Sequence, residues 1–324
     1  MNMRVYLLRR LLQGALTLLL VSIAIFAALR AAPGDAADLI AAGGAGAEAA
    51  QAGSEGERAA LRSELGLDRP LWRQYAVWLS DMVTLDWGES YVSGRSVWNE
   101  FLRRIPVTLQ LSIMGIAVAV GLGVPLGVAA ALRQDTWVDY SVRVFALGGV
   151  SLPHFWLATL VLLAGVRYFT WSPPPGYQPP LSEPWANLTQ FLWPALVLGY
   201  SGAGLLTRMT RYTVLEVMRQ EYVRTARAKG IFPADVVQRH ILRNALLPVI
   251  TVAGIAFATL ISGSVVLEQV FSLPGTGLYL LDAVKFRDYA VVQPVIVFFA
   301  AWVVLVNLTV DMLYTWLNPQ VRYG

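Results

Sequence analysis

Cysteine is absent from the 324 residues. There is therefore no disulfide framework, no thiolate nucleophile and no cysteine-bound metal. Histidine is almost absent: His154 and His240 stand 86 residues apart, too little material for a zinc centre. Lysine is confined to Lys229 and Lys285, so arginine carries most of the basic character. Charge of either sign is scarce, at 14% of residues against 56% hydrophobic, and mean hydropathy is positive. That balance is low in charge for a soluble globule. No Gly-rich run ends in Lys and Ser/Thr, so no nucleotide phosphate cradle is present; neither HExxH nor GxSxG occurs. The net charge of +4 is modest and the arginines form no continuous stripe, which argues against nucleic acid.

What is present is a series of long apolar runs. A bilayer span needs about 20 mostly apolar residues. Six stretches meet that length: 11–29, 108–132, 144–166, 189–207, 245–267 and 290–317. The expected fold is an all-α polytopic membrane protein with six transmembrane helices. The first run follows Arg4, Arg9 and Arg10 and is longer than a usual signal core, so it reads as a retained anchor. With the N-terminus inside, the short inner segments hold fourteen basic residues and the short outer loops two or three. The positive-inside rule then places both termini in the cytoplasm. Three segments follow: 1–30 as N-terminus and first span, 31–107 as a long external loop, and 108–324 as the remaining core.

Between the spans, Gly43 to Gly56 reads as a flexible insertion. Residues 57–67 suggest a short helix stopped by Gly66, and Leu71, Tyr75, Trp78 and Leu79 repeat at helical spacing. The second span carries Gly115, Gly121, Gly123 and Gly127; the fourth carries Gly199, Gly202 and Gly204. Small residues let helices approach closely where lipid supplies no hydrophobic drive. The two halves share no clean sequence repeat, and the spans are nearly free of ionisable groups. A self-contained, ion-coupled secondary transporter, which needs a buried ion site, is therefore the weaker alternative.

The most distinctive polar stretch is EYVRTARAKGIFPADVVQRHILRNALLP, Glu221 to Pro248, inside the basic 208–244 loop. Tyr222 and Ala226 fall near one helical face, and Gly230 can end that helix in a left-handed conformation. Pro233 can open a second helix with Asp235 in its first turn and Val236, Val237, His240 and Ile241 on its apolar side. The expected unit is helix, glycine turn, helix. Charge alone does not separate a docking surface from a solvated positive-inside loop or a lipid-headgroup contact.

EYVRTARAKG followed by RHILRNALLP resembles the cytoplasmic signature of binding-protein-dependent ABC transporter permeases. The first permease subunit of the dipeptide, oligopeptide and nickel group is the nearest likeness. LLRRLL at Leu7, LGLDRP at Leu65, SLPHFW at Ser151, VFSLPGTG at Val270 and DYAVVQ at Asp288 fit the same group, so the resemblance covers nearly the whole chain. Ala226 and Gly230 match the signature's small residue and glycine, whereas Arg224 stands where the general pattern has glutamate. The resemblance implies a peptide permease of the bacterial inner membrane, with nickel chelates or glutathione-type compounds as alternative substrates. It implies a second permease, two cytosolic ATPases that hold ATP and magnesium, and an external solute-binding protein as partners. It implies no enzyme activity and no cofactor in this chain. The coupling helix would present Glu221, Tyr222, Arg224, Thr225, Ala226, Arg227, Lys229 and Gly230 to an ATPase.

Glu268 lies near the outer end of the fifth span, where a charge is costly and therefore a candidate for function. With Phe271, Pro274 and Gly275 it marks a candidate external mouth. Phe271, Pro274, Gly275 and Gly277 suggest a short re-entrant or surface hairpin there. Serines in the spans are read as helix-to-helix hydrogen-bond donors, and His154 as a histidine held by one hydrogen bond.

Overall fold

A computed structural model describes residues 3–31, 55–64 and 66–317. Helices dominate; among the described residues the only strand-like pairing is an isolated bridge between Glu89 and Ser96. In chain order the helices are α1 (Met3–Ala31), α2 (Glu55–Glu64), α3 (Leu71–Thr84), α4 (Val97–Leu132), α5 (Trp137–Ser151), α6 (His154–Phe169), α7 (Pro184–Met218) and α8 (Glu221–Ala228). A single turn at Pro233–Asp235 runs through a π-helical stretch, Val236–Leu242, into α9 (Arg243–Val270). Then come α10 (Thr276–Lys285) and α11 (Tyr289–Leu317). Most of the expected Gly43–Gly56 insertion lies outside the described residues.

The chain forms two compact units that follow contact rather than chain order. The first comprises Met1–Tyr6, Thr108–Leu273 and Leu305–Gly324; the second comprises Leu7–Val107 and Pro274–Val304.

Six spans were expected, and that count does not hold. Four helices among the described residues are long and apolar enough to cross a membrane: Leu8–Ala31, Val97–Leu132, Pro233–Val270 and Tyr289–Leu313. A fifth exists only if α5 and α6 are taken as one broken span, because they meet at a bend of 102°. The break falls at Leu152-Pro153: proline lacks the amide hydrogen and pushes the residue before it out of helical geometry. The expected run at 189–207 is the core of α7, which is long but diluted by Pro194, three glycines, Tyr200 and Ser201. Its physical reason is burial. Buried residues on α7 run from Asn187 to Val214, so protein rather than lipid surrounds much of it, and that surface need not be oily.

Small residues set how closely the first unit packs. A Cβ on Gly199 would lie 2.5 Å from Val118 Cβ and 2.6 Å from the Gly115 carbonyl oxygen. On Gly127 it would lie 2.7 Å from the Thr207 carbonyl oxygen. These contacts bring α4 and α7 to backbone distance. Gly149 and Gly204 do the same for α5 and α7, where each added Cβ would meet a backbone oxygen at 2.6 Å. Tyr200 also donates from its hydroxyl to the Phe145 carbonyl, 3.0 Å.

The second unit is held by aromatic packing and one buried carboxylate. Phe26 of α1 packs edge-on against Tyr75 of α3, and the Tyr75 hydroxyl lies 2.8 Å from Ser22 Oγ. Val97, Phe101, Ala283, Val291, Val292 and Val295 form a core beneath Trp87 and Trp98. Asp288 is buried; it accepts from Ser90 Oγ at 2.5 Å and from the Tyr91 amide at 3.2 Å.

Candidate coupling site

The site is a small block at the end of α7. Gln220 is extended and starts α8; Glu221 sits in the first turn and Arg227 in the last, each suited to the helix dipole. Gly230, at φ +75°, turns the chain out of the helix in the left-handed region. Its amide donates to the Arg227 carbonyl, 3.0 Å. Phe232 is extended, as a residue before proline prefers, and Pro233 opens the next turn with Asp235 in it. The π-helical stretch that follows carries one residue too many for an α ladder, a local geometry often found at functional positions.

α8 has two unlike faces. Val223 and Ala226, three residues apart, are buried. They join a cluster with Val214 of α7, Ala131 of α4, Val236 and Ile241 of the π-helical stretch, and Ala245 of α9. Glu221, Tyr222, Arg224, Thr225, Arg227 and Lys229 are exposed, as is Gly230. Tyr222 is exposed but anchored: its hydroxyl accepts from Asn244 Nδ2 at 2.9 Å and reaches the His240 carbonyl at 3.5 Å. The expected helix, glycine turn and second helix are all there, but Val223 is the inner anchor that the sequence reading overlooked. Its signal was available in the Val223/Ala226 spacing. The exposed face offers three cations and one acid, and arginine's planar fork suits carboxylates on a partner.

A second feature lies one helix away. Asp139, in the first turn of α5, is fully buried. Arg211 of α7 grips it with both arms, Nε to Oδ1 and a terminal nitrogen to Oδ2, each at 2.7 Å. The Asp135 amide donates to Oδ2 at 3.1 Å, and Arg143 Nε stands 3.5 Å from Oδ1. Asp135 itself is left-handed, with φ 60°. Nothing in the sequence pattern announced this pair, because its partners are 72 residues apart.

The residues of the expected external mouth are divided between the two units, Glu268 and Phe271 in the first and Pro274 and Gly275 in the second. Glu268 is fully buried on α9; it accepts from Thr108 Oγ1 at 2.7 Å and Ser264 Oγ at 3.0 Å. Phe271 is buried with its ring 6.4 Å from that of Trp171. Pro274 and Gly275 open the second stretch of the second unit, Pro274–Val304, where Gly275 precedes α10. The stretch expected as a hairpin is a helix, a turn with Ser272 at φ 54°, and another helix. His154 begins α6 just after the bend; its Nδ1 is buried and makes no hydrogen bond among the described residues. Among those residues no three acidic or histidine side chains are grouped to hold a metal.

Known proteins add the following. Residues 123–323 match the family described as binding-protein-dependent transport system inner membrane component, and residues 3–112 match the N-terminal family of such membrane components. A Brucella abortus (strain 2308) protein, provisionally named a peptide transport system permease protein, is 40% identical over 99% of this chain and 100% of its own length. The di/tripeptide transport system permease protein DppB of Pseudomonas aeruginosa (strain UCBPP-PA14) is 40% identical over 80% of this chain and 83% of its own. The glutathione transport system permease protein GsiC of Escherichia coli (strain K12) is 38% identical over 98% of this chain and 99% of its own. In fold, the chain is similar to the inward-facing MetNI methionine ABC transporter, at TM-score 0.55 and 19% identity, over 67% of this chain and 96% of that one.

Proposed function

Because this chain belongs to the binding-protein-dependent transport system inner membrane component family, as a non-catalytic permease subunit of an ABC importer of the peptide group, we propose that it moves short peptides inward when a cytosolic ATPase pushes on α8. Its partners in this reading are a second permease, two ATPases holding ATP and magnesium, and an external binding protein that delivers the peptide. Both termini and the Glu221–Gly230 block face the cytoplasm, in keeping with the basic residues of the short segments on that side.

One observation carries the reading. α8 is short, cationic outward and locked inward by Val223 and Ala226 into a cluster shared with α4, α7 and α9. A force applied to its outer face is therefore delivered to the ends of three long helices. The chemistry stays in the ATPases; this chain converts displacement into a change of access. The names of the relatives favour peptides, with glutathione as the nearest alternative cargo.

The test is reconstitution of the five-chain transporter in vesicles with trialanine, glutathione and a nickel–histidine chelate offered in turn. ATP-dependent uptake of trialanine is expected. The double substitution Arg224→Glu, Arg227→Glu keeps the buried face intact and is expected to lower ATPase co-purification at least tenfold. Unchanged ATPase retention would remove α8 as the docking helix; uptake without any ATPase would overturn the reading altogether.

A further inference from the structure

The cluster beneath α8 reaches α4, α7, the π-helical stretch and α9, but includes no residue of α5. Yet α5 leads directly into the 102° bend and α6, with which it forms the one broken apolar pair of span length among the described residues. Something must tie that pair to the block if it is to move with it. The tie present at the near end of α5 is the Asp139–Arg211 fork. Arg211 lies two helical turns before the end of α7, on the same continuous helix that delivers the chain to α8. At the far end of α5, the Gly149–Gly204 contact and the Tyr200 hydroxyl clasp α7 again.

We propose that Asp139 and Arg211 form a transmission clamp: they make α5 and α7 one body, so that displacement of α8 is carried to the bend at Leu152-Pro153 and to α6. The inference rests on the reading that an ATPase pushes on α8. Asp139 and Arg211 are positioning residues: each acts through the helix that carries it. The geometry favours this over a merely stabilising pair in two respects. Both carboxylate oxygens are held by a planar, two-armed donor, which fixes orientation as well as distance. The remaining donors, the Asp135 amide and Arg143, come from α5's own approach and first turns, so Arg211 alone reaches across to another helix.

The measured quantity is peptide moved per ATP hydrolysed, in vesicles holding the complete transporter with trialanine as cargo. Asp139→Asn keeps the shape and the Asp135 contact but loses the charge. It is expected to leave ATP hydrolysis within twofold and to lower the ratio at least tenfold. Arg211→Lys, which keeps the charge but loses the fork, is expected to lower the ratio by a smaller factor. The exchange Asp139→Arg with Arg211→Asp restores opposite charges and is expected to recover at least a third of the ratio. If uptake and hydrolysis fall together in every variant, the pair is structural only and the proposal fails; it fails equally if the ratio is unchanged. The absence of a cysteine allows a second readout that does not depend on yield. Spin labels at Val144→Cys and Arg208→Cys should keep one distance in nucleotide-free and ATP-trapped complexes, and drift apart on trapping in Asp139→Asn. A changing distance in the otherwise native chain would overturn the clamp. Failure of the underlying reading looks different: the unsubstituted complex would then show no ATP-dependent uptake at all.

Discussion

At the scale of single residues, the second unit holds a phenol with an unusual titration. Tyr279 on α10 is half-buried, its hydroxyl makes no hydrogen bond among the described residues, and Arg104's guanidinium lies 4.7 Å from its ring centroid. Burial, then the nearby Asp288 carboxylate, push its pKa from 10.0 up to about 12, with Arg104 opposing. The folded state thus holds the proton more tightly than the unfolded chain. The resulting stability is complete below pH 10.0 and is lost as pH rises towards about 12. Tyr279→Phe should therefore flatten the fall in thermal midpoint across that window and leave the midpoint at pH 7 unchanged or slightly raised, because an unpartnered hydroxyl is removed. A variant that falls as steeply as the parent would show that Tyr279 ionises freely. The surrounding polar contacts were not legible in the sequence. Ser90 and Asp288 are 198 residues apart, and only folding reveals that the carboxylate has a hydroxyl and an amide to accept from.

At the scale of elements, local signals were read well and long-range ones poorly. Gly230 and Pro233 determine how α8 ends and how the next turn begins, through backbone preferences that act within a few residues, and both did so where expected. The number of spans was not legible, because a hydropathy window cannot distinguish a helix wrapped in protein from one wrapped in lipid. α7 shows the difference: its glycines mark packing, not weakness as a helix. Gly199 makes the point testable. Gly199→Ala would force Val118 or the Gly115 backbone to move, and overpacking of this kind costs about 1–3 kcal/mol. Gly121, on the neighbouring α4, has open space where its Cβ would stand. Gly121→Ala should therefore leave the thermal midpoint of the detergent-purified protein unchanged or slightly higher, while Gly199→Ala lowers it. Equal effects would mean that the seam between α4 and α7 is looser than its distances imply.

At the scale of the whole molecule, orientation is the property on which the coupling proposal stands, and a chain without cysteine is suited to measuring it. Ser272, exposed just after α9, and Phe232, 70% exposed just before the Pro233–Val270 span, stand at opposite ends of that span and so on opposite sides of the membrane in the proposed topology. A lone cysteine at Ser272 should react with a membrane-impermeant maleimide in intact cells whose outer barrier is opened. One at Phe232 should react only once the inner membrane is breached. The reverse pattern would place the arginine-rich block outside and end the ATPase reading. The bonds that Tyr222 makes to Asn244 and the His240 carbonyl carry a further implication. They sew the two sides of the glycine turn together. A thrust on α8 thus has a polar strut to the start of α9, alongside the greasy wedge of Val223 and Ala226.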